Sequence, residues 1–246
     1  MARREAMVQE LDRLIPGEIS GDSFYDALCH FSARGDVKQI LEIGSSSGTG
    51  STQAFVETIR ARPDSSSVSL YCVEVSKDRL QKLKDTYAAD AFVKAYNVSS
   101  VATDEFPSSA EIIGFFIKHS SRIRTKRPLA RFLFPEVNMP VITKYLRWRR
   151  RDIDYIRSSG KDANGIAYIK HQNDLDAFDF VLIDGSEFTG EAELRHIIGS
   201  RFIALDDIFT YKCFNAYRQL SFDSRYRLID QNFELRNGYA IFERVI

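Results

Sequence analysis

Ile40-Leu41-Glu42-Ile43-Gly44-Ser45-Ser46-Ser47-Gly48-Thr49-Gly50-Ser51-Thr52 is the stretch that decides the fold of this chain. Gln39–Ile43 is an apolar run that reads as a buried strand, and a turn of glycines and serines follows at once. Residues 52–59 then carry apolar side chains three or four apart, the spacing of a helix. Strand, small-residue turn and helix make the first unit of a nucleotide-binding α/β sheet. Gly44 and Gly48 lack a Cβ, so the backbone can turn tightly there and a ligand can come close. Amides at the start of the helix face such a ligand, and serine hydroxyls add donors.

Glu42 narrows the choice of ligand. It stands near the carboxyl end of the strand, two residues before Gly44. A carboxylate there repels a pyrophosphate and suits a ligand with a cationic amine. The dinucleotide pattern GxGxxG also fails, because Gly48-Thr49-Gly50 runs into Ser51, Thr52 and Gln53 with no third glycine.

Outward from this unit the chain repeats the theme. Residues 4–14 and 23–33 read as two short amphipathic helices before the glycine turn, the second ended by Gly35. Residues 68–74 read as the second strand, ending in Glu74. A carboxylate one βαβ step beyond the glycine turn can accept both ribose hydroxyls of an adenosine. Residues 77–87 form a helix, and residues 91–96 the third strand. The loop after it, with Asn97 and Val98, passes an adenine in this architecture. Residues 178–183 are a fourth strand ended by Asp184, apolar enough for burial on both faces. Residues 201–205 are a fifth, ended by Asp206 and Asp207, with Tyr211 and Lys212 placed to reach the same mouth. Helices are expected at 189–198 and 211–220. Two closing strands, 226–230 and 239–244, join through Asn237-Gly238, a hairpin signal.

The expected fold is α/β: a seven-stranded, doubly wound, Rossmann-like sheet, mostly parallel with an antiparallel C-terminal strand. Residues 1–246 make one domain, with N-terminal helices over 1–36 and a mainly helical insertion over 107–177 between strands three and four. A plain crossover needs far fewer residues. Residues 118–151 hold eleven Lys or Arg against one acid, Glu136. The chain has 34 of each sign, so the remainder carries 23 basic and 33 acidic residues. Three readings stand for this basic segment: a solvated helical cap, a lid that attracts anions, or a nucleic-acid surface on which Tyr145 and Trp148 stack bases.

Composition sets the class. The chain is 44 % hydrophobic and 28 % charged with zero formal net charge, an ordinary soluble globular balance that names no partner. Cys29, Cys72 and Cys213 form no CxxC, which suits a reducing compartment and argues against a zinc knuckle. The N-terminus has no apolar core of a secretory signal, and no apolar run is long enough to span a membrane. A cytoplasmic location is expected. Oligomeric state is not encoded in any motif.

These residues together resemble a class I S-adenosylmethionine-dependent methyltransferase, over about residues 39–246. LEIGSSSGTGS is similar to that family's first motif, Glu-x-Gly-x-x-x-Gly. The resemblance implies that Glu42, Gly44, Ser46, Gly48 and Ser51 line the methionine end of the cofactor. It also implies that Glu74 holds the ribose and that Asn97 and Val98 lie by the adenine. Ser46 stands where many members have glycine. A metal-dependent subgroup that methylates catechols, natural products and sugars has an Asp after strand four and an acidic pair after strand five. Asp184, Asp206 and Asp207 look similar and would bind Mg²⁺ through oxygen. The other reading has Asp184 touching cofactor or a helix start and the pair capping the next helix.

That subgroup often carries a Lys or His base two or three residues past the strand-four Asp. Here those positions are Ser186 and Glu187. Glu187 is then a candidate proton acceptor, a further metal ligand or a cap. No Asn/Asp-Pro-Pro-Tyr motif is present, which counts against amino-directed nucleic-acid methylation. The resulting expectation is O-methylation of a small molecule, with Glu187 and Asp184 as catalytic candidates and Mg²⁺ as an added cofactor. The alternatives are an RNA methyltransferase using the basic insertion and a non-catalytic module that only binds cofactor.

Overall fold

Alternation along Gln39–Ile43 (β1) sets the two faces of the molecule. Leu41 and Ile43 enter one apolar core, and Ile40 enters the other. Glu42 therefore points to the same side as Ile40. The computed structural model describes residues 11–14, 16–119 and 139–245. The expected helix over 4–14 and the basic segment over 118–151 fall largely outside the described residues.

Before β1 comes α1 (Ser23–Ser32), whose start is capped by Asp22, accepting from the amides of Phe24 and Tyr25 at 2.9 Å each. After β1 the order is α2 (Ser51–Arg60), β2 (Ser69–Val73), α3 (Lys77–Thr86), β3 (Val93–Tyr96), α4 (Ser109–His119), α5 (Met139–Ser158), α6 (Gly165–Gln172), β4 (Phe180–Ile183), α7 (Gly190–Ile197), β5 (Phe202–Asp206), α8 (Phe214–Phe222), β6 (Tyr226–Asn232) and β7 (Tyr239–Arg244). The strands make one seven-stranded sheet in the order β3-β2-β1-β4-β5-β7-β6. The first five are parallel, β7 runs antiparallel to β5, and β6 antiparallel to β7. This is the Rossmann-like sheet expected from the sequence.

Both faces are covered. On one side α1 and α2 bury Phe24, Leu28, Phe55 and Ile59 against Ile40, Leu70, Phe180 and Phe202. Phe24 stacks on Tyr239 at 4.3 Å, tying the N-terminal helix to the last strand. Each such buried side chain contributes about 1.5–3 kcal/mol. On the other side α4, α5, α6, α7 and α8 cover Leu41, Val73, Val181, Ile183 and Leu205. The segment between β3 and β4 thus supplies three described helices to that face.

Three local expectations shift for identifiable reasons. The third strand begins at Val93, not 91, because the Val93 amide closes a turn onto Asp90 O at 2.9 Å. The helix after β5 begins at Phe214, because residues 207–213 wind through a turn in which Asp207 takes φ 58° and its carbonyl accepts from Thr210 N at 3.0 Å. The last two strands are not joined by a two-residue turn at Asn237-Gly238. The loop runs over 233–238, opened by Asn232 Oδ1 accepting from the amides of Glu234 and Leu235. Among the described residues no helix is long and apolar enough to cross a membrane.

Candidate active site

Strand order reverses at β1, which has β2 on one side and β4 on the other. In open α/β sheets the connections leave a crevice outside the carboxyl ends of such strands. A cavity of about 450 Å³ lies there, walled by the loops after β1, β2, β4 and β5 and roofed by α5.

The β1 loop is drawn tight against its neighbours. Gly44 has φ +91°, and a Cβ on it would lie 2.3 Å from the Asp184 carbonyl oxygen, so only glycine fits. The close approach at Gly48 is likewise to protein: its φ is +84° and a Cβ would meet the Tyr87 ring at 2.8 Å. Gly44, Ser46 and Ser51 border the cavity. Gly48 is turned to α3, where its carbonyl accepts from the Tyr87 hydroxyl at 2.5 Å.

Glu42 lies beneath this loop, with no exposed surface. Its oxygens accept from Ser51 Oγ and Thr52 Oγ1, both at 2.7 Å, in the first turn of α2. A carboxylate is favoured at a helix start, but burial raises its pKa more than these bonds lower it. Glu42 thus fastens the loop from below.

Glu74 ends up in the cavity wall, with one oxygen accepting from Ser46 N at 2.9 Å and the other from Ser76 N at 2.7 Å. Burial raises its pKa. The Val75 amide is also directed at it, and a carboxylate has about four acceptor positions, so room for a further donor remains. Ser46 holds a left-handed φ of 47° that a residue with a Cβ seldom adopts. Its buried Oγ has no hydrogen-bond partner among the described residues. Val98 borders the cavity. Asn97 instead donates to the carbonyls of Glu74 and Val75, at 2.9 and 3.0 Å, and so holds the β2 loop.

Charge gathers at the other end. Asp184, Asp206 and Asp207 bring one oxygen each within 4.8 Å of the others, a grouping that could hold a metal ion. Lys212 lies among them. Its Nζ is 2.7 Å from Asp184 Oδ1 and 2.7 Å from Asp207 Oδ2. Arg236 reaches Asp206 Oδ1 at 3.3 Å. Burial, then the Asp184 charge, pushes Asp206 up to about 7. Burial raises Asp184 more than Lys212 lowers it. At Asp207 burial works the same way, but the Lys212 charge prevails and the pKa falls. Burial opposes the Lys212 ammonium, yet the surrounding carboxylates hold its pKa well above the ordinary value. Glu187 also borders the cavity, accepting from the Tyr145 hydroxyl at 3.0 Å, and its pKa is raised by burial.

Several cavity residues come from α5, and of these only Trp148 stands out in the sequence, as a residue on which bases could stack. Trp148, Arg151, Asp152, Tyr155 and Ile156 face the opening. Their spacing of three or four is that of one helical face, which was the available signal. Asp152 accepts from Ser186 Oγ at 2.9 Å. Tyr155 donates to Asp12 Oδ1 at 2.5 Å, and Ser76 Oγ donates to the same oxygen at 2.7 Å. The N-terminal segment, the β2 loop and α5 therefore meet at one carboxylate beside the cavity.

No protein-family model matches the sequence, and no curated protein matches it. Solved structures do. The chain is similar to an O-methyltransferase from Bacillus cereus in complex with SAH, at TM-score 0.55 and 12 % identity, covering 100 % of this chain and 91 % of that one. It is also similar to cofactor-bound Rv0187 from MTB, at TM-score 0.53 and 13 % identity, covering 99 % and 88 %. At such identities the likeness is one of fold, the Rossmann-like fold that the chain shares with these structures.

Proposed function

We propose that this protein is an S-adenosylmethionine-dependent methyltransferase that acts on a hydroxyl of a small molecule. The observation that carries this reading is the wall formed by Ser46 and Glu74. A buried hydroxyl without a partner among the described residues and a buried carboxylate that can still accept a donor border the same cavity, beside a glycine turn at the sheet's switch point. Such a wall suits a neutral ribose diol and a polar amino-acid tail better than a pyrophosphate, which the Glu74 carboxylate would repel.

In this scheme Glu74 accepts the ribose hydroxyls, Val98 packs by the adenine, and Gly44, Ser46 and Ser51 border the methionine end. Glu42 and Asn97 act from behind, by holding the β1 and β2 loops. Bound there, S-adenosylmethionine supplies an electrophilic methyl group whose C–S bonding pair returns to sulfur as the acceptor oxygen's lone pair forms the new C–O bond. The protein's part is alignment and removal of the hydroxyl proton. Glu187 takes that proton: it borders the cavity, and its raised pKa makes it a stronger base than an exposed carboxylate. Asp184 acts through Lys212, which it holds.

A small neutral acceptor is favoured over RNA by the acids at the cavity, Asp184, Asp206, Asp207 and Glu187, which disfavour a phosphate backbone; the described part of the basic segment lies mostly on the surface. Arg149 is held by the Pro107 carbonyl, Arg150 pairs with Asp154 at 3.8 Å, and Lys144 sits 4.0 Å over the Trp148 ring. Of these, Arg149 is half-buried, while Lys144 and Arg150 stay on the exposed face of α5.

The test is calorimetric titration with S-adenosylhomocysteine. Micromolar binding that weakens about 10–100-fold in Glu74→Ala is expected for loss of charged hydrogen bonds. Absence of binding at millimolar ligand would overturn the proposal.

A further inference from the structure

The resemblance noted from the sequence implies Mg²⁺ on Asp184, Asp206 and Asp207, but these carboxylates already hold a different cation. Lys212 Nζ bridges Asp184 Oδ1 and Asp207 Oδ2 at 2.7 Å each. Magnesium requires its oxygens at about 2.0–2.1 Å, whereas an ammonium holds them at about 2.7–2.9 Å. A metal bridging these two oxygens would have to expel the ammonium. Lys212 has little room to leave, being only 9 % exposed.

Its backbone is also fixed. The Lys212 amide donates to Thr210 Oγ1 at 3.2 Å and to Glu187 Oε1 at 3.3 Å. On the other side, a Cβ on Gly190 would lie 2.1 Å from the Lys212 carbonyl oxygen, so α7 must begin with glycine for this loop to pack as it does. Lys212 nevertheless borders the cavity, beside Glu187. The residues present therefore fit an ammonium and do not fit a divalent ion.

We propose that the Lys212 ammonium is the resident cation of the acceptor end, held by Asp184 and Asp207, and that its remaining N–H binds the acceptor's reacting oxygen. The word acceptor rests on the methyl-transfer reading; the cation does not. An ammonium has three donors, and two are committed among the described residues. A chelating metal takes two oxygens at once, but a single N–H takes one. The acceptor class is thus a compound with one isolated hydroxyl, a monohydric phenol or alcohol, for which a second vicinal hydroxyl brings no gain in binding.

The experiment uses the full chain and Mn²⁺, followed by the electron paramagnetic resonance of the free ion. Wild type is expected to leave the free signal unchanged at millimolar metal. Lys212→Gln is expected to take up one Mn²⁺ per chain and to gain thermal stability from it, with uptake lost again when Asp206→Asn is added. Lys212→Arg, which keeps a cation, should take up none. Uptake by wild type that Asp184→Asn abolishes would overturn the proposal, as would a folded Lys212→Gln that stays empty. Should Lys212→Gln not fold, the wild-type and Lys212→Arg arms still decide the matter. Titration of S-adenosylhomocysteine into metal-free wild type is scored separately. Failure there removes the methyltransferase reading and leaves the metal arms standing.

Discussion

At one end of the cavity Ser46, Ser76 and Glu74 present backbone amides, a hydroxyl and one carboxylate; at the other, Asp184, Asp206, Asp207 and Glu187 crowd around Lys212 and Arg236. The first wall gains its shape from chain geometry. A Cβ on its Gly44 would lie 2.3 Å from the Asp184 carbonyl oxygen, and the Ser46 and Ser76 amides already donate to the Glu74 carboxylate. The second gains its shape from charge pairing in a buried place, where removing one partner is costly. On the proposed reading, a cavity assembled from both can keep its cofactor end constant while its acceptor end changes character with a single residue.

The largest effect should come from breaking the charged end. Lys212→Met leaves Asp184 and Asp207 buried without their cation, a loss of about 3–5 kcal/mol. Thermal denaturation should show it as a fall of roughly 6–20 °C, at about 2–4 °C per kcal/mol for a chain of this size. A shift of only a degree or two would mean that the pairing does not shape this end.

Glu187 sharpens the comparison through pH. A base must be ionised to accept a proton, and burial raises the pKa of this one. The rate of methyl transfer should therefore fall as pH drops, with a midpoint above the usual carboxylate range. Glu187→Gln should abolish that acidic limb and slow turnover about 10²–10⁴-fold, with S-adenosylhomocysteine affinity unchanged. An acidic limb that survives the substitution would assign the proton to another group.

The smallest effect belongs to the geometric end. Ser46→Gly relieves a left-handed backbone that costs a Cβ-bearing residue about 1–2 kcal/mol. The melting temperature should rise by a few degrees while S-adenosylhomocysteine affinity falls several-fold, because the unpartnered Oγ is lost. If affinity rises as well, the hydroxyl has no part in binding.

The geometric end was largely legible in the sequence, because strand, glycine turn and acid-ended strand are consecutive and each has a local signature. Glu42 marks where that legibility stops. The motif places a carboxylate at the strand end, but strand alternation puts it on the Ile40 side, under Ser51 and Thr52, rather than in the cavity. Asn97 is similar: its position after β3 was readable, its hold on the Glu74 and Val75 carbonyls was not. The charged end was readable as a set of acids at strand ends and a nearby lysine. Its wiring was not, because Tyr145 meets Glu187 across 42 residues and Lys212 meets Asp184 across 28. Pairings at that separation follow from tertiary packing and leave no periodic trace.

Asp12 also has a consequence for timing. Tyr155 and Ser76 both donate to one of its oxygens, so three segments far apart in sequence meet at a single point beside the cavity that Tyr155 lines. A ligand that leaves past that junction departs no faster than the junction opens. The slow event in a catalytic cycle would then be product escape rather than bond making, and the residence time of the spent cofactor would be set by a contact that touches neither reactant.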